Sequence, residues 1–369
     1  MDDMPLSKPD VSQEDIDAVA EVLKSTRLSI GPKVEEFEKS IAEYVGVEYA
    51  VAVNSGTSAL HLIIKSLGLG VGDEVITTPF SFIASTNCIL YEGATPVFVD
   101  IEEGTYNIDL DKMESAINDR TKAILAVDVF GRPCMWDKLE KLAKENDLSL
   151  IEDSAEALGS SYNNRMCGSF GDAGVFGFYP NKQITTGEGG MITTDSEEMQ
   201  DMCKSMRNHG RDDKHLLQHD RLGYNYRLSE INSALGLSQL KRIKTLKKER
   251  HEIAELYSNE LESIEGIKKP TELPGESINW FVYVIQLSDE YGGGERDEII
   301  ERMLQKNIQC GKYFPPIHLQ PHIKKLLGHT EGDFPICEKT SDRTIALPFY
   351  RGITDVEARY IVENLRGFL

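Results

Sequence analysis

Gly177-Phe178-Tyr179-Pro180-Asn181-Lys182-Gln183-Ile184-Thr185-Thr186-Gly187-Glu188-Gly189-Gly190 is the stretch on which the reading of this chain turns. Ala173–Phe176 before it reads as a short buried strand, and Met191–Thr194 after it as another. One lysine lies between them, with glycines on its C-terminal side. Glycine permits positive φ and close backbone approach to a bound group. Most lysines are solvated surface charges. Here the apolar strand with Phe178, Tyr179 and Pro180 predicts an enclosed amine, the setting in which a lysine becomes a nucleophile for Schiff-base chemistry.

Outward from that stretch, strands and helices alternate with regularity. Ala50–Val53 reads as a strand running into Asn54-Ser55-Gly56-Thr57-Ser58 and a helix over Ala59–Leu67. Strand, small polar turn, helix is how α/β proteins offer backbone N–H groups and a helix dipole to an anion, often phosphate. An ordinary N-cap would look the same. Strands follow at Glu74–Thr77, Pro96–Val99, Ala123–Val127 and Leu148–Ile151, with helices at Ala84–Glu92, Leu110–Ile117 and Met135–Glu145 between them. This alternation predicts a mostly parallel sheet covered by helices on both faces. Ligands of such sheets sit at the carboxyl ends of the strands. Ser55–Ser58, Phe82 and Asp153 fall there, with Lys182 expected close by. A carboxylate at a strand end can pair with a protonated heterocyclic nitrogen. Alternatively, Asp153 caps a helix over Ala155–Gly159.

The N-terminal part adds helices at Ile16–Lys24 and Val34–Tyr44. After a helix at Glu197–Met206, Ser229 or an adjacent residue caps a long helix predicted to run through Leu261 as a bridge to a second domain. Beyond Lys268-Lys269-Pro270 the texture changes: an alternating strand at Trp280–Leu287, a helix at Asp297–Lys306, another strand from Ile308, a turn at Tyr313–His318 and a last helix at Ile353–Leu365. The expected division is a large domain over residues 1–245 and a smaller α+β domain over 246–369.

The chain has 369 residues and a formal net charge of -21, which argues against nucleic acid or an anionic membrane as a bulk partner. No apolar run is long enough to span a bilayer. The N-terminus lacks the basic-then-apolar order of a signal peptide. The six cysteines form no CxxC pair, as expected of reduced thiols in a cytoplasmic protein. Gly68-Leu69-Gly70-Val71-Gly72 ends a helix and lacks the spacing of a dinucleotide fingerprint. The pairs His215/His219 and His318/His322 have no evident third ligand, so no metal is expected.

A phosphate-type turn, an aspartate at a later strand end and a lysine on a glycine-bounded turn, in that order, resemble a fold-type I pyridoxal-phosphate enzyme of the aspartate aminotransferase-like class. More closely, the chain resembles the DegT/DnrJ/EryC1/StrS family of nucleotide-sugar aminotransferases. The resemblance rests on Gly31-Pro32, Asn54–Leu60, Pro79–Ala84, Glu152-Asp153, Lys182–Gly190, Gly223–Arg227 and Tyr313–His318. It implies that Lys182 binds pyridoxal 5'-phosphate as a Schiff base and that Asp153 pairs with the pyridinium nitrogen. Phe82 would stack on the ring, and Gly56, Thr57 and Ser58 would hold the phosphate. Asn225 would reach the phosphate of a neighbouring subunit, making the enzyme a homodimer with shared sites. Ser29, Arg211, Tyr313 and His318 would lie at the nucleotide-sugar, and L-glutamate would be the donor. Glu156 stands near the cofactor's phenolic oxygen, where many members have Gln or His. Glutamate there occurs in members resembling perosamine synthases, which aminate C4 of a GDP-4-keto-6-deoxyhexose. Gly177 replaces a phosphate-touching serine of many members. Rival readings are a UDP- or dTDP-linked 3-/4-ketosugar or cyclitol aminotransferase, a sugar dehydratase (against which Lys182 speaks) and a non-catalytic sensor.

Overall fold

The computed structural model describes residues 3–212 and 215–369, without the side chains of 212–217. Seven strands form its main sheet: β1 (Tyr49–Val53), β2 (Glu74–Thr77), β3 (Thr95–Phe98), β4 (Thr121–Val127), β5 (Ser149–Asp153), β6 (Ala173–Gly177) and β7 (Gly190–Thr194). Their spatial order is β1-β7-β6-β5-β4-β2-β3. Pairing is parallel from β3 through β6, while β7 is antiparallel to both its neighbours. β7 therefore returns the chain between two strands that point the same way. The carboxyl ends of the other six strands share one edge. The lysine stretch is the connection from β6 to β7, and it springs from that edge.

The strands read as unbroken apolar runs because helices cover both faces of the sheet. On one side lie α1 (Gln13–Leu23), α2 (Pro32–Val45) and α8 (Glu230–Lys241), closing a core of Phe37, Ile41, Ala52, Phe176, Phe178 and Leu237. α3 (Gly56–Ser66), α4 (Ala84–Tyr91) and α7 (Glu197–Arg207) pack in the core that holds Val51, Leu62, Val75, Leu125 and Val175. α5 (Leu110–Ala116) and α6 (Trp136–Glu145) contribute Met113, Trp136 and Leu139 to a third cluster. Sharp caps set the helix starts. Ser12 and Asp15 form a capping box on α1, Pro32 opens α2, and Ser55 Oγ accepts the Ser58 amide at 3.1 Å on α3.

The long bridging helix is two helices: α8 ends at Lys241, and α9 (Ile243–Glu260) begins after Arg242. Arg242 leaves helical geometry at φ -99°, ψ 1°, and its guanidinium turns to Asp10 and Asp15 at 2.7 Å each. Apolar periodicity continues across the break, which is why the sequence reads as one helix. α9 carries Ile243 and Leu246 in the core against α2, and Ile253, Ala254 and Tyr257 in a separate core. The latter is built by β8 (Tyr283–Leu287) pairing antiparallel with β9 (Thr344–Leu347), by α10 (Gly293–Leu304) and by α11 (Asp355–Arg366). Met4 joins it through an isolated bridge to Ile308, and Gly311 bridges Ala346, so the strand expected from Ile308 is two isolated bridges. Residues 280–282, expected in the same strand as 283–287, instead form an irregular lead-in that reaches the lysine.

Candidate active site

Lys182 lies on a turn closed by its own amide on Tyr179 O at 2.9 Å and by Thr186 N on Phe178 O at 3.0 Å. Gly187 there adopts φ +82°, open to glycine at little steric cost. The enclosure differs from the expected one in an informative way. Phe178 is buried, but it packs away from the amine onto Phe37 at 5.3 Å, and Tyr179 is 54% exposed. The ring beside the amine is Phe281, with Lys182 Nζ 4.1 Å from its centroid. Arg250 of α9, buried and without a carboxylate partner among the described residues, ties the two segments together. Its guanidinium donates to Lys182 O at 3.3 Å, Trp280 O at 3.2 Å and Phe281 O at 3.4 Å. Gln183 Nε2 adds a bond to Asn279 O at 2.9 Å. No local pattern links residues so far apart in sequence, so Arg250 and Phe281 escape a sequence reading.

Lys182 Nζ meets Glu156 Oε1 at 3.2 Å, and Glu156 Oε2 accepts the Phe130 amide at 3.1 Å. Gly177, at the end of β6, leaves room beside the lysine: a Cβ there would come within 3.8 Å of Lys182 Cε and 3.5 Å of Ala155 O.

Asp153 ends β5 and is 4% exposed. No helix follows it; the residues after it form turns, and the Asp153 side chain caps only one of them, Oδ1 accepting Ala155 N at 3.2 Å. Oδ2 accepts the Ser85 hydroxyl at 2.8 Å. Ser85, the second residue of α4, carries no signal in the sequence. Burial pushes the Asp153 carboxyl up to about 6, with the Ser85 and Ala155 donors opposing and the Glu156 charge adding to the rise. A buried carboxylate lacking a hydrogen-bonded cation is suited to a protonated ring nitrogen. Phe82, three residues before Ser85, is 62% exposed, a large apolar face uncovered at the same strand edge.

The N-terminal turn of α3 is organised by side chains. Ser58 Oγ donates to Asn54 Oδ1 at 2.7 Å and lies 2.9 Å from Ser55 Oγ. Gly56 and Thr57 are half-buried with Ser58 buried behind them. A cavity of about 350 Å³ opens against Ser55, Thr57 and Ser58, walled by His61, Tyr224 and Tyr226. Asn225 is exposed between those two tyrosines, whose rings stack at 4.9 Å. Gly190 brings β7 directly under this turn, where a Cβ would stand 2.4 Å from Ser55 C and O.

The predicted sugar-binding residues divide. Tyr313 is half-buried, its ring 6.4 Å from Phe281 and 6.3 Å from Phe130. Burial, and then the Glu156 charge, pushes its phenol up. His318 does not reach the site surface. It is 0% exposed, its Nε2 lies 2.9 Å from Glu338 Oε1 and its ring packs on Phe334 at 4.7 Å. Ile317, buried and hydrogen-bonded to Pro79 O at 2.8 Å, turns the chain so that the histidine points inward. Ser29 is exposed and receives the Glu230 amide on its carbonyl at 2.9 Å; Arg211 is half-buried, and neither makes a described contact with Lys182, Asp153 or Glu156. Of the histidine pairs weighed as metal ligands, the His215 side chain lies outside the described residues. His318 and His322 sit on different elements, a 3-10 turn and the helix opened by Pro321. All six cysteines are free, and five are buried. No helix among the described residues is long and apolar enough to cross a membrane.

A seven-stranded mixed sheet with this order, a lysine on the β6–β7 connection, a buried aspartate without a cation and a helix N-terminus define a pyridoxal-phosphate-dependent transferase of fold type I. The chain belongs to the DegT/DnrJ/EryC1/StrS aminotransferase family, whose model matches residues 9–366. It is 36% identical over 367 residues to the GDP-perosamine synthase of Escherichia coli O157:H7, covering 99% of this chain and 98% of that one. Among solved structures it is similar to Helicobacter pylori PseC, an aminotransferase involved in the biosynthesis of pseudoaminic acid, at TM-score 0.95 and 33% identity with 99% of both chains covered. Spr1654 from Streptococcus pneumoniae, in its PMP form, gives TM-score 0.95 at 29% identity, covering 99% of this chain and 97% of that one. The protein is a sugar aminotransferase that uses pyridoxal phosphate.

Proposed function

We propose that the chain moves the amino group of L-glutamate to C4 of a GDP-linked 4-keto-6-deoxyhexose. The single observation that carries the catalytic part is the 3.2 Å approach of Lys182 Nζ to Glu156 at the strand edge that also holds Asp153. The GDP sugar is favoured by three GDP-perosamine synthases at 35–36% identity, matched over 92–99% of their length, together with Glu156. Bound pyridoxal phosphate supplies an electron sink for the carbon that loses or gains a proton and carries the amino group from donor to acceptor.

The residues take roles their surroundings allow. Asp153, buried and ionised above about pH 6, holds a positive charge on the ring nitrogen. Phe82 offers its exposed ring as a stacking face. Gly56, Thr57 and Ser58 offer amide and hydroxyl donors at a helix N-terminus to the phosphate. Lys182 binds the cofactor, and once released its amine carries the proton to and from the substrate carbon as general acid and base. Phe281 keeps water from one side of that amine. Glu156 accepts from Lys182 or from the cofactor's phenolic oxygen. Tyr313 borders the sugar side. Asn225 serves the phosphate of a second copy, which makes the working unit a homodimer. In this reading residues 1–245 bind the cofactor and 246–369 close over it, with α9 crossing between them.

The experiment is turnover with L-glutamate against a panel of GDP-, UDP- and dTDP-linked ketosugars, with thermal stabilisation by the same compounds as a second readout. Preference for the GDP-linked 4-ketosugar sustains the proposal. A clear preference for a UDP- or dTDP-linked sugar overturns the substrate while leaving the aminotransferase intact.

A further inference from the structure

Behind Asp153, two more carboxyls are buried and take no part in the chemistry above. Asp128 follows β4 and Glu152 lies within β5, and both are 0% exposed. Ser154 Oγ stands between them, 2.5 Å from Asp128 Oδ2 and 2.7 Å from Glu152 Oε1. A hydroxyl carries one proton and can donate to only one of these oxygens. At the other contact the carboxyl must donate. Two carboxylates around one hydroxyl would leave a charge pair in the core with one short contact repulsive, so one acid is neutral.

The surrounding N–H groups say which. Asp128 Oδ1 accepts from Cys134 N at 2.8 Å and Trp136 Nε1 at 3.1 Å. Glu152 Oε1 accepts from Gly168 N at 2.6 Å, and Oε2 from Phe170 N at 2.8 Å. An oxygen faced by an N–H is an acceptor. Asp128 Oδ2 is the one oxygen of the four that no described N–H reaches, so it carries the proton. The chain then runs from Asp128 Oδ2–H to Ser154 Oγ, and from Ser154 Oγ–H to the Glu152 carboxylate.

We infer that Asp128, Ser154 and Glu152 form a proton-sharing clamp, one neutral acid and one carboxylate, that positions Asp153 and Glu156 for the transamination. The connection is through the backbone. The Asp128 amide donates to Asp153 O at 3.0 Å. The turn that starts at Asp128 delivers the Phe130 amide to Glu156 at 3.1 Å. Ser154 directly follows Asp153, and Glu152 anchors the 168–170 turn beneath β6. Burial pushes both carboxyls up, Glu152 the further, with the Ser154 hydroxyl and the backbone amides opposing; the two N–H groups that hold Glu152 as an acceptor nevertheless leave the proton to Asp128. The other titratable groups facing the pair are the thiols of Cys134 and Cys167, which burial holds neutral. Glu102 acts on Cys134 from the β3–α5 loop. Lys247 of α9 comes near Cys167, but its amine bonds Gly159 O at 2.7 Å and Ser277 Oγ at 3.0 Å.

The sign follows from linkage. An acid whose folded pKa is raised stabilises the fold below its unfolded pKa, and that stability is lost as pH rises through the folded value. The test is the melting temperature of the cofactor-saturated enzyme from about pH 6 to about pH 9, in which titrations shared with the variants cancel in the difference. Asp128→Asn keeps the acceptor toward Cys134 and Trp136 and offers a permanent donor to Ser154. It is expected to remove the alkaline fall that the wild type should show. Glu152→Gln sets an amide NH2 against the Gly168 or Phe170 N–H. It is expected to lower the melting temperature at every pH and to weaken cofactor binding at least tenfold, with Asp128→Asn losing several-fold less than Asp128→Ala. If Asp128→Ala does not fold, the contrast between Asp128→Asn and Glu152→Gln carries the test. Equal alkaline falls in wild type and Asp128→Asn, or Glu152→Gln tolerated better than Asp128→Asn, overturn the clamp. So does a melting temperature that rises with added zinc and falls with a chelator, since Asp128, Glu152 and Cys167 present ligand atoms within 4.8 Å of one another. None of these readouts depends on which sugar the enzyme accepts.

Discussion

Glu152 and Asp153 are neighbours in sequence, both acidic and both buried at the end of one strand, yet they face two different worlds. Strand alternation sends them to opposite sides of the sheet. Glu152 meets a closed set of donors: two backbone amides and a hydroxyl relay to a second acid. Asp153 meets Ser85 and one amide, with no described N–H or cation to complete it. One side satisfies its charge internally and holds the strand end in place. The other leaves a charge uncompensated, which costs stability in the empty protein and gives a cationic ligand something to bind. The difference teaches that a buried acid's role lies in how completely its partners satisfy it, not in its burial.

The comparison can be broken, and the largest effect expected is at the amine between the two acids' neighbours. Lys182→Ala should bind cofactor and yet lose turnover by about 10³-fold or more, measured by single-turnover kinetics. Near-normal turnover would end the assignment of Lys182. Next is Asp153→Asn, which should lose activity by at least about a hundredfold. It should also raise the melting temperature of the cofactor-free protein above pH 6. Raising the Asp153 carboxyl from its ordinary value to about 6 means that ionisation costs on the order of 3 kcal/mol in the fold. That stability is present at low pH and is lost as pH rises through about 6, so the variant's advantage should vanish in acid. A cofactor-free variant no more stable than wild type at pH 8 would mean that Asp153 is already compensated.

Smaller effects sharpen the picture. Gly190→Ala forces a Cβ into Ser55 backbone at 2.4 Å and should cost roughly 1–3 kcal/mol while displacing the helix N-terminus. A fall in cofactor affinity larger than the fall in stability would tie that turn to the phosphate. Phe281→Leu, which keeps apolar cover but removes the ring beside Lys182, should change turnover by only about a few-fold, because a cation near an aromatic face gains about 1 kcal/mol.

Much of the architecture was legible in the sequence. The five strands of the parallel run lie within two residues of their expected ends, because strands buried on both faces are short apolar runs bounded by turn residues. Lys182, Asp153 and the Ser55–Ser58 turn stood out because each follows a strand in a residue context that strands and helices alone do not need. The bridging helix reads as continuous in the sequence because Arg242 interrupts the backbone without interrupting apolar spacing. The burial of His318 is not written in any local pattern, because it depends on how Ile317 turns the chain.

The alternation of strands and helices, the lysine stretch and the family to which the chain belongs are all written in the order of its residues. Periodicity and turn chemistry are local, and they are written in adjacent residues. What encloses Lys182 and what supports Asp153 is set by packing alone. Phe281 and Arg250 come from a distant part of the chain, Ser85 from the next helix over, and the Asp128–Ser154–Glu152 relay from two strands brought side by side. Such contacts are made by packing, where distance along the chain has no bearing on distance in space.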